Sequence, residues 1–123
     1  MKVKSKHTAL GLKGEILASD FLIKNGYAIL ERNWRHGRDE IDVIAWRDQV
    51  TVFVEVKTRT SGYFGFPEDA VSVSKQERMA RAAEAFILKR NIHNEIRFDI
   101  ISIQFNSKPP RIRHIRDAFF PST

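Results

Sequence analysis

Cysteine is absent from the chain, so disulfides and thiolate metal sites are both excluded, which fits a reducing compartment. Four prolines and six glycines are too few, and too scattered, to form a linker or a low-complexity segment. No apolar run approaches the roughly 20 residues that a membrane-spanning helix requires, so no membrane partner is expected. The opening MKVKSKHTAL is basic but lacks the apolar stretch of a secretory signal, and a cytoplasmic location is the expectation. Acid is short relative to base, with 15 Asp and Glu against 21 Lys and Arg, a formal charge of +6. A small basic domain attracts polyanions, of which nucleic acid is the commonest, although general solubility accounts for the same excess.

What is present fits one soluble domain over residues 1–123, with 42% hydrophobic and 29% charged residues. Leu10, Gly14, Leu17, Ala18, Phe21 and Leu22 recur at helical spacing and predict a helix from about Thr8 to Asn25, stopped by Asn25-Gly26. Tyr27 to Arg32, Ile41 to Trp46 and Val50 to Thr58 read as three strands. A loop carrying Tyr63, Phe64 and Phe66 leads to a second helix from about Ser74 to Arg90. There Ser74 is the expected N-cap and Glu77 completes a capping box. Ile96 to Phe105 and Ile112 to Phe119 are two final strands, separated by Ser107-Lys108-Pro109-Pro110. The order helix-strand-strand-strand-helix-strand-strand predicts an α/β fold, a mixed sheet of about five strands flanked by helices.

The chemistry lies in EIDVIAWRDQVTVFVEVKT. A hairpin turning at Asp48-Gln49 pairs residues whose numbers sum to 97. Asp42 then faces Glu55 with Cβ atoms roughly 5 Å apart, and Glu40 faces Lys57. Phe53, Glu55 and Lys57 share one face of the third strand, while Val52, Val54 and Val56 share the other. Two carboxylates so close repel unless a cation lies between them, and hard oxygen ligands suit magnesium or manganese. Lys57 could orient or help deprotonate an attacking water, or neutralise charge on a phosphate. The plainer alternative is a salt-bridged sheet face with Lys57 paired to Glu40 or Glu55; the apolar setting VFVEVK speaks for a site instead, because buried charge is tolerated chiefly where it functions. Glu15, at the border of the first helix's apolar stripe, is a third carboxylate that packing can bring to the rim or leave as a solvated helix residue.

Asp42 followed by Glu55-Val56-Lys57 resembles the PD-(D/E)XK signature of restriction-endonuclease-like nucleases, with Ile41 where the motif's name has proline. The whole chain resembles the YraN-like family of predicted bacterial endonucleases, similar in turn to archaeal Holliday-junction resolvases. Gly11 to Glu15, Gly26-Tyr27, Arg32-Asn33, Glu40 to Ala45, Val52 to Lys57, Phe64-Gly65, Pro67, Ala70-Val71, Lys75, Arg78, Arg97 to Asp99 and His114-Ile115 carry the match. The resemblance implies a restriction-endonuclease-like core and a catalytic set of Glu15, Asp42, Glu55 and Lys57. It also implies a magnesium or manganese ion on Asp42, Glu55 and the Val56 carbonyl, and hydrolysis of DNA phosphodiesters, branched or irregular DNA included. Resolvases act as symmetric pairs, which admits a homodimer.

Around this centre, Arg32, Arg35, Arg38, Arg47, Arg59, Lys75 and Arg78 are candidate phosphate contacts. Lys75 and Arg78 fall in the first turns of the second helix, where backbone amides also favour a phosphate. The loop aromatics can stack on splayed bases or fold onto the protein itself. His7, His36, His93 and His114 lack metal-ligand spacing, and Asp99 is read as structural. The alternative to an enzyme is a nucleic-acid-binding protein that keeps the fold with little or no catalysis, within a repair or recombination assembly.

Overall fold

A computed structural model describes residues 8–60 and 71–121 of the chain. His7 and the loop with Tyr63, Phe64, Gly65, Phe66, Pro67 and Ala70 lie outside the described residues.

Helix α1 (Ala9–Lys24) begins where Thr8, extended at φ −78°, accepts the Gly11 amide on its hydroxyl at 3.1 Å. It ends at Asn25, whose side-chain amide donates to the Phe21 carbonyl at 2.7 Å. Strands β1 (Ala28–His36), β2 (Asp39–Arg47) and β3 (Val50–Arg59) follow, then α2 (Val73–Arg90), β4 (Glu95–Gln104) and β5 (Arg111–Phe119), in the predicted order. Asp48 and Gln49 make the β2–β3 turn at φ 51° and 66°, the two left-handed residues that a two-residue type I′ hairpin needs.

The sheet runs β1-β2-β3-β4-β5, antiparallel throughout except that β3 and β4 are parallel, joined by the crossover through α2. α1 covers one face, packing Ala18 and Leu22 on Val43, Ala45, Val52, Val54, Val56, Ile101 and Ile103. α2 covers the other, with Met79, Ala82 and Phe86 against Ile44, Phe53, Phe98 and Ile100. Thr51 to Val56 of β3 are buried on both faces, which is why that stretch is so apolar.

β2 begins at Asp39 rather than Ile41, and two further boundaries differ from expectation. β1 continues to His36, because Trp34 packs on the α2-side core while the free side of an edge strand accommodates its polar neighbours Asn33, Arg35 and His36. α2 begins earlier: Ser72, not Ser74, is the N-cap, accepting the Lys75 amide at 3.1 Å. Val71 is buried just ahead of Ser72, and the Gln76 side chain holds its carbonyl at 3.2 Å, fixing the chain's entry two residues sooner. Ser74 instead accepts from Arg78 at 2.6 Å.

Candidate functional site

The β2–β3 ladder follows the predicted register from Arg47–Val50 to Val43–Val54 and stops there, one pair short of Asp42 and Glu55. From that point β2 stays with β1 as far as His36–Asp39, while β3 stays with β4 as far as Arg59–Gln104. The sheet forks. Ile41 belongs to the α2-side core and Val43 to the α1-side core although they are two residues apart, so the strand's alternation breaks at Asp42. Opposite the break, Asn33 of β1 is left-handed at φ 53°.

The break turns the Asp42 side chain toward β3, where its Oδ2 accepts the Val56 amide at 2.8 Å. A carboxylate thus supplies the acceptor that a ladder carbonyl would have given, and Asp42 is wholly buried. A strand residue points its amide and carbonyl to the same side, so the Val56 carbonyl also faces the fork. Glu55, 1% exposed, projects to the α2 side, where Lys75 Nζ of α2's first turn lies 3.2 Å from its Oε2. Lys57 shares that face by alternation and forms no ion pair among the described residues. The expected Glu40–Lys57 pair is not made: Glu40 lies beyond the last β2–β3 ladder pair and reaches Arg35, its β1 partner, at 3.8 Å.

Glu15 is buried on α1 at this same end of the sheet. Its neighbour Gly14 packs so tightly on Thr58 that an added Cβ would overlap the threonine methyl. Among the described residues no three His, Cys, Asp or Glu side chains form a metal-sized cluster, so Glu15 does not complete a three-acid cage with Asp42 and Glu55.

The candidate cations separate by position. Arg35 and Arg38 sit on or beside the exposed β1–β2 turn at the fork, and Arg59 ends β3. Arg78 is one turn along α2 from Lys75. Arg32 is in register with Val43 of the α1-side core, the face away from Lys75. Arg47 is at the opposite end of the sheet, 2.8 Å from the Asn25 carbonyl and stacked over Tyr27. Lys75 is the chief surprise, because its ammonium meets a buried carboxylate of the site itself. Its place in the first turn of the second helix marks it only as a candidate phosphate contact, not as a partner of Glu55.

A second buried acid is structural. Asp99 accepts from Arg97 at 2.9 Å, from the Asp117 amide at 2.9 Å, and pairs with His114 Nε2 at 2.7 Å. Burial pushes this carboxyl up, but the hydrogen bonds from His114, Arg97 and the Asp117 amide outweigh it and hold it below the usual carboxylate range. The same bond to Asp99 pushes the Arg97 guanidinium up, and Arg97 also reaches the Tyr27 hydroxyl at 2.8 Å. The network ties β4 and β5 to the segment after α1.

The fork lies within the stretch that relates this chain to others, since the sequence profile of "Uncharacterised protein family UPF0102" matches residues 14–103. The chain belongs to the UPF0102 family. It is 42% identical to a UPF0102 protein of Flavobacterium psychrophilum over 94% of this chain and 98% of that one. A UPF0102 protein of Geobacter metallireducens is 47% identical over 90% and 92% respectively. One of Bacteroides thetaiotaomicron is 42% identical over 95% and 97%. The UPF0102 span runs from Gly14 to Ile103 and so takes in Glu15, Asp42, Glu55, Lys57 and Lys75. No helix among the described residues is long and apolar enough to cross a membrane.

Proposed function

We propose that this protein is a metal-dependent endonuclease that hydrolyses DNA phosphodiester bonds. The carrying observation is the fork: two buried carboxylates, Asp42 and Glu55, stand where paired strands part. The donor set fits magnesium or manganese. Such ions need near-octahedral oxygen ligation and commonly take one or two carboxylates, with water and substrate phosphate completing the shell. A pair of acids without a third among the described residues meets that demand, whereas an all-protein calcium cage would not be satisfied.

Asp42, Glu55 and the Val56 carbonyl would hold the ion, which when bound supplies positive charge at the phosphate and acidifies nearby water. The Val56 amide fixes the Asp42 carboxylate in one orientation. Lys57 orients the attacking water or neutralises charge developing on the phosphate. Glu15, buried at the same end, is the remaining acid within the proposed catalytic set. Arg35, Arg38, Arg59 and Arg78 supply phosphate contacts around the fork.

The Lys75–Glu55 contact favours a second reading, a DNA-binding protein with little catalysis, because an ammonium already neutralises one expected ligand. Incubating the protein with linear, flapped and four-way DNA, in magnesium, manganese or chelator, separates the two. The enzyme reading expects cleavage that needs metal and disappears in Asp42→Asn and Glu55→Gln with binding retained. Binding without cutting on every substrate and ion would sink it and leave the second reading.

A further inference from the structure

Past the fork, β1 and β2 continue together as a two-stranded arm. Its ladder is Trp34–Ile41, Arg35–Glu40 and His36–Asp39, and the chain turns through Gly37-Arg38. Gly37 is left-handed at φ 62° and Arg38 is not, the pattern of a two-residue hairpin turn with glycine first. From Asp42 to Arg38 the strand runs about 13 Å, so the tip stands clear of the paired acids.

A short two-stranded ribbon is marginally stable by itself, and α2 braces this one. Trp34 Nε1 donates to the Ala82 carbonyl at 3.0 Å, and the Trp34 ring meets Phe86 edge-on at 5.2 Å between centroids. Nearer the tip, Arg81 Nε and Nη2 donate to the Asp39 carboxylate at 3.1 and 3.4 Å. The brace also sorts the charges. Asp39 is bound to α2, and Glu40 is buried and lies 3.8 Å from Arg35. His36, Gly37 and Arg38 are exposed at the tip, and Arg38 forms no ion pair among the described residues. A stiff arm thus ends in a solvated arginine while its own acids are bound or buried.

We propose that Arg38 enters the minor groove of DNA beside the scissile phosphate, so that the substrate is double-stranded on the arm's side of the fork. The proposal rests on the nuclease reading and adds a substrate class to it. A ribbon can lie in the major groove, about 12 Å wide, but one face of this arm is covered by α2 through Trp34 and Ile41, and only the tip projects. The tip is too broad for a minor groove about 6 Å wide, whereas a single arginine side chain fits, and the negative potential there draws a guanidinium in. The braced stem presets the position of Arg38, so little freedom is lost on binding. Arg38 then meets base edges rather than a phosphate, a contact that single-stranded DNA lacks because it has no groove. The competing explanation is that Arg38 is a solvated turn residue or touches one phosphate.

The test is fluorescence anisotropy in chelator, with a labelled A·T-rich duplex and a single strand of the same length. Arg38→Gln should weaken duplex binding by about fivefold or more and leave single-strand binding unchanged. Lys24→Gln, at the far end of α1, should leave both unchanged. Netropsin, which fills the minor groove of A·T-rich duplex, should bring the wild type down to the affinity of Arg38→Gln and have little further effect on that variant. Equal losses on duplex and single strand in Arg38→Gln would make Arg38 a phosphate contact and overturn the groove assignment. So would wild-type duplex affinity in Arg38→Gln, or an equal effect of netropsin on both proteins. In each of these cases metal-dependent cleavage by the wild type leaves the nuclease reading standing, whereas wild-type protein that binds no DNA would overturn both.

Discussion

The ammonium of Lys75 lies 3.2 Å from the carboxylate of Glu55, joining the first turn of α2 to the middle of β3. Glu55 is 1% exposed as a side chain and Lys75 is 24% exposed, so the pair is only partly desolvated and bridges interior to solvent. A divalent cation at the fork would compete with Lys75 for the same oxygens.

That competition makes Lys75→Gln informative. Stranding a fully buried charge costs roughly 3–5 kcal/mol, and partial exposure reduces the expected loss here to about 1–3 kcal/mol. Urea unfolding in chelator should show this deficit, and magnesium should shrink it by supplying the missing positive charge. An equal deficit with and without magnesium would mean that lysine and metal do not share Glu55.

Asp42 acts on both the strand and the ion. Asp42→Ala removes the acceptor of the buried Val56 amide and should cost about 1–3 kcal/mol. Asp42→Asn keeps an acceptor oxygen and should lose less. Both should abolish the heat of magnesium or manganese binding in calorimetry; wild-type heats in Asp42→Asn would refute the ligand assignment.

Gly14 sets how closely α1 approaches the fork. Gly14→Ala drives a methyl into the Thr58 side chain, an overpacking that costs about 1–3 kcal/mol despite alanine's better helix propensity. Adding Thr58→Ser removes the opposing methyl and should restore most of the loss in thermal unfolding. A double variant no more stable than Gly14→Ala would show that the clash is not the cause.

Asp99 gives a pH dependence of known sign. Its folded carboxyl lies below the usual range, held there by His114 and Arg97 against the opposing effect of burial. It therefore stabilises the fold above the unfolded value of about 3.9, and this contribution is lost as pH falls through the lower folded value. Asp99→Asn should be less stable near neutrality and should show a smaller drop between about pH 5 and pH 2. Parallel pH profiles for the two proteins would remove Asp99 from the account.

Much of this was legible in the chain. Helix α1 is bounded by Thr8 and Asn25-Gly26, and Asp48-Gln49 is the hairpin turn, because capping and turn conformations are local chemistry. Period-two alternation gave Glu55 and Lys57 a common face, and residue arithmetic gave the register of β2 on β3. Local reasoning failed at Ser72, since two serines two residues apart cap equally well until Val71 finds its place in the core.

By itself, then, the sequence determined which acids lie near the β2–β3 hairpin, because hairpin register follows from turn position and a fixed period. Only the tertiary structure decided that the strands part at Asp42, since that break depends on how Ile41 and Val43 divide between two cores. It also decided that Lys75, twenty residues downstream, meets Glu55. The crossover through α2 sets the β3–β4 pairing that lines up Lys57 with Arg113. Contacts across a long connection are fixed by packing against distant surfaces, and no local periodicity encodes them.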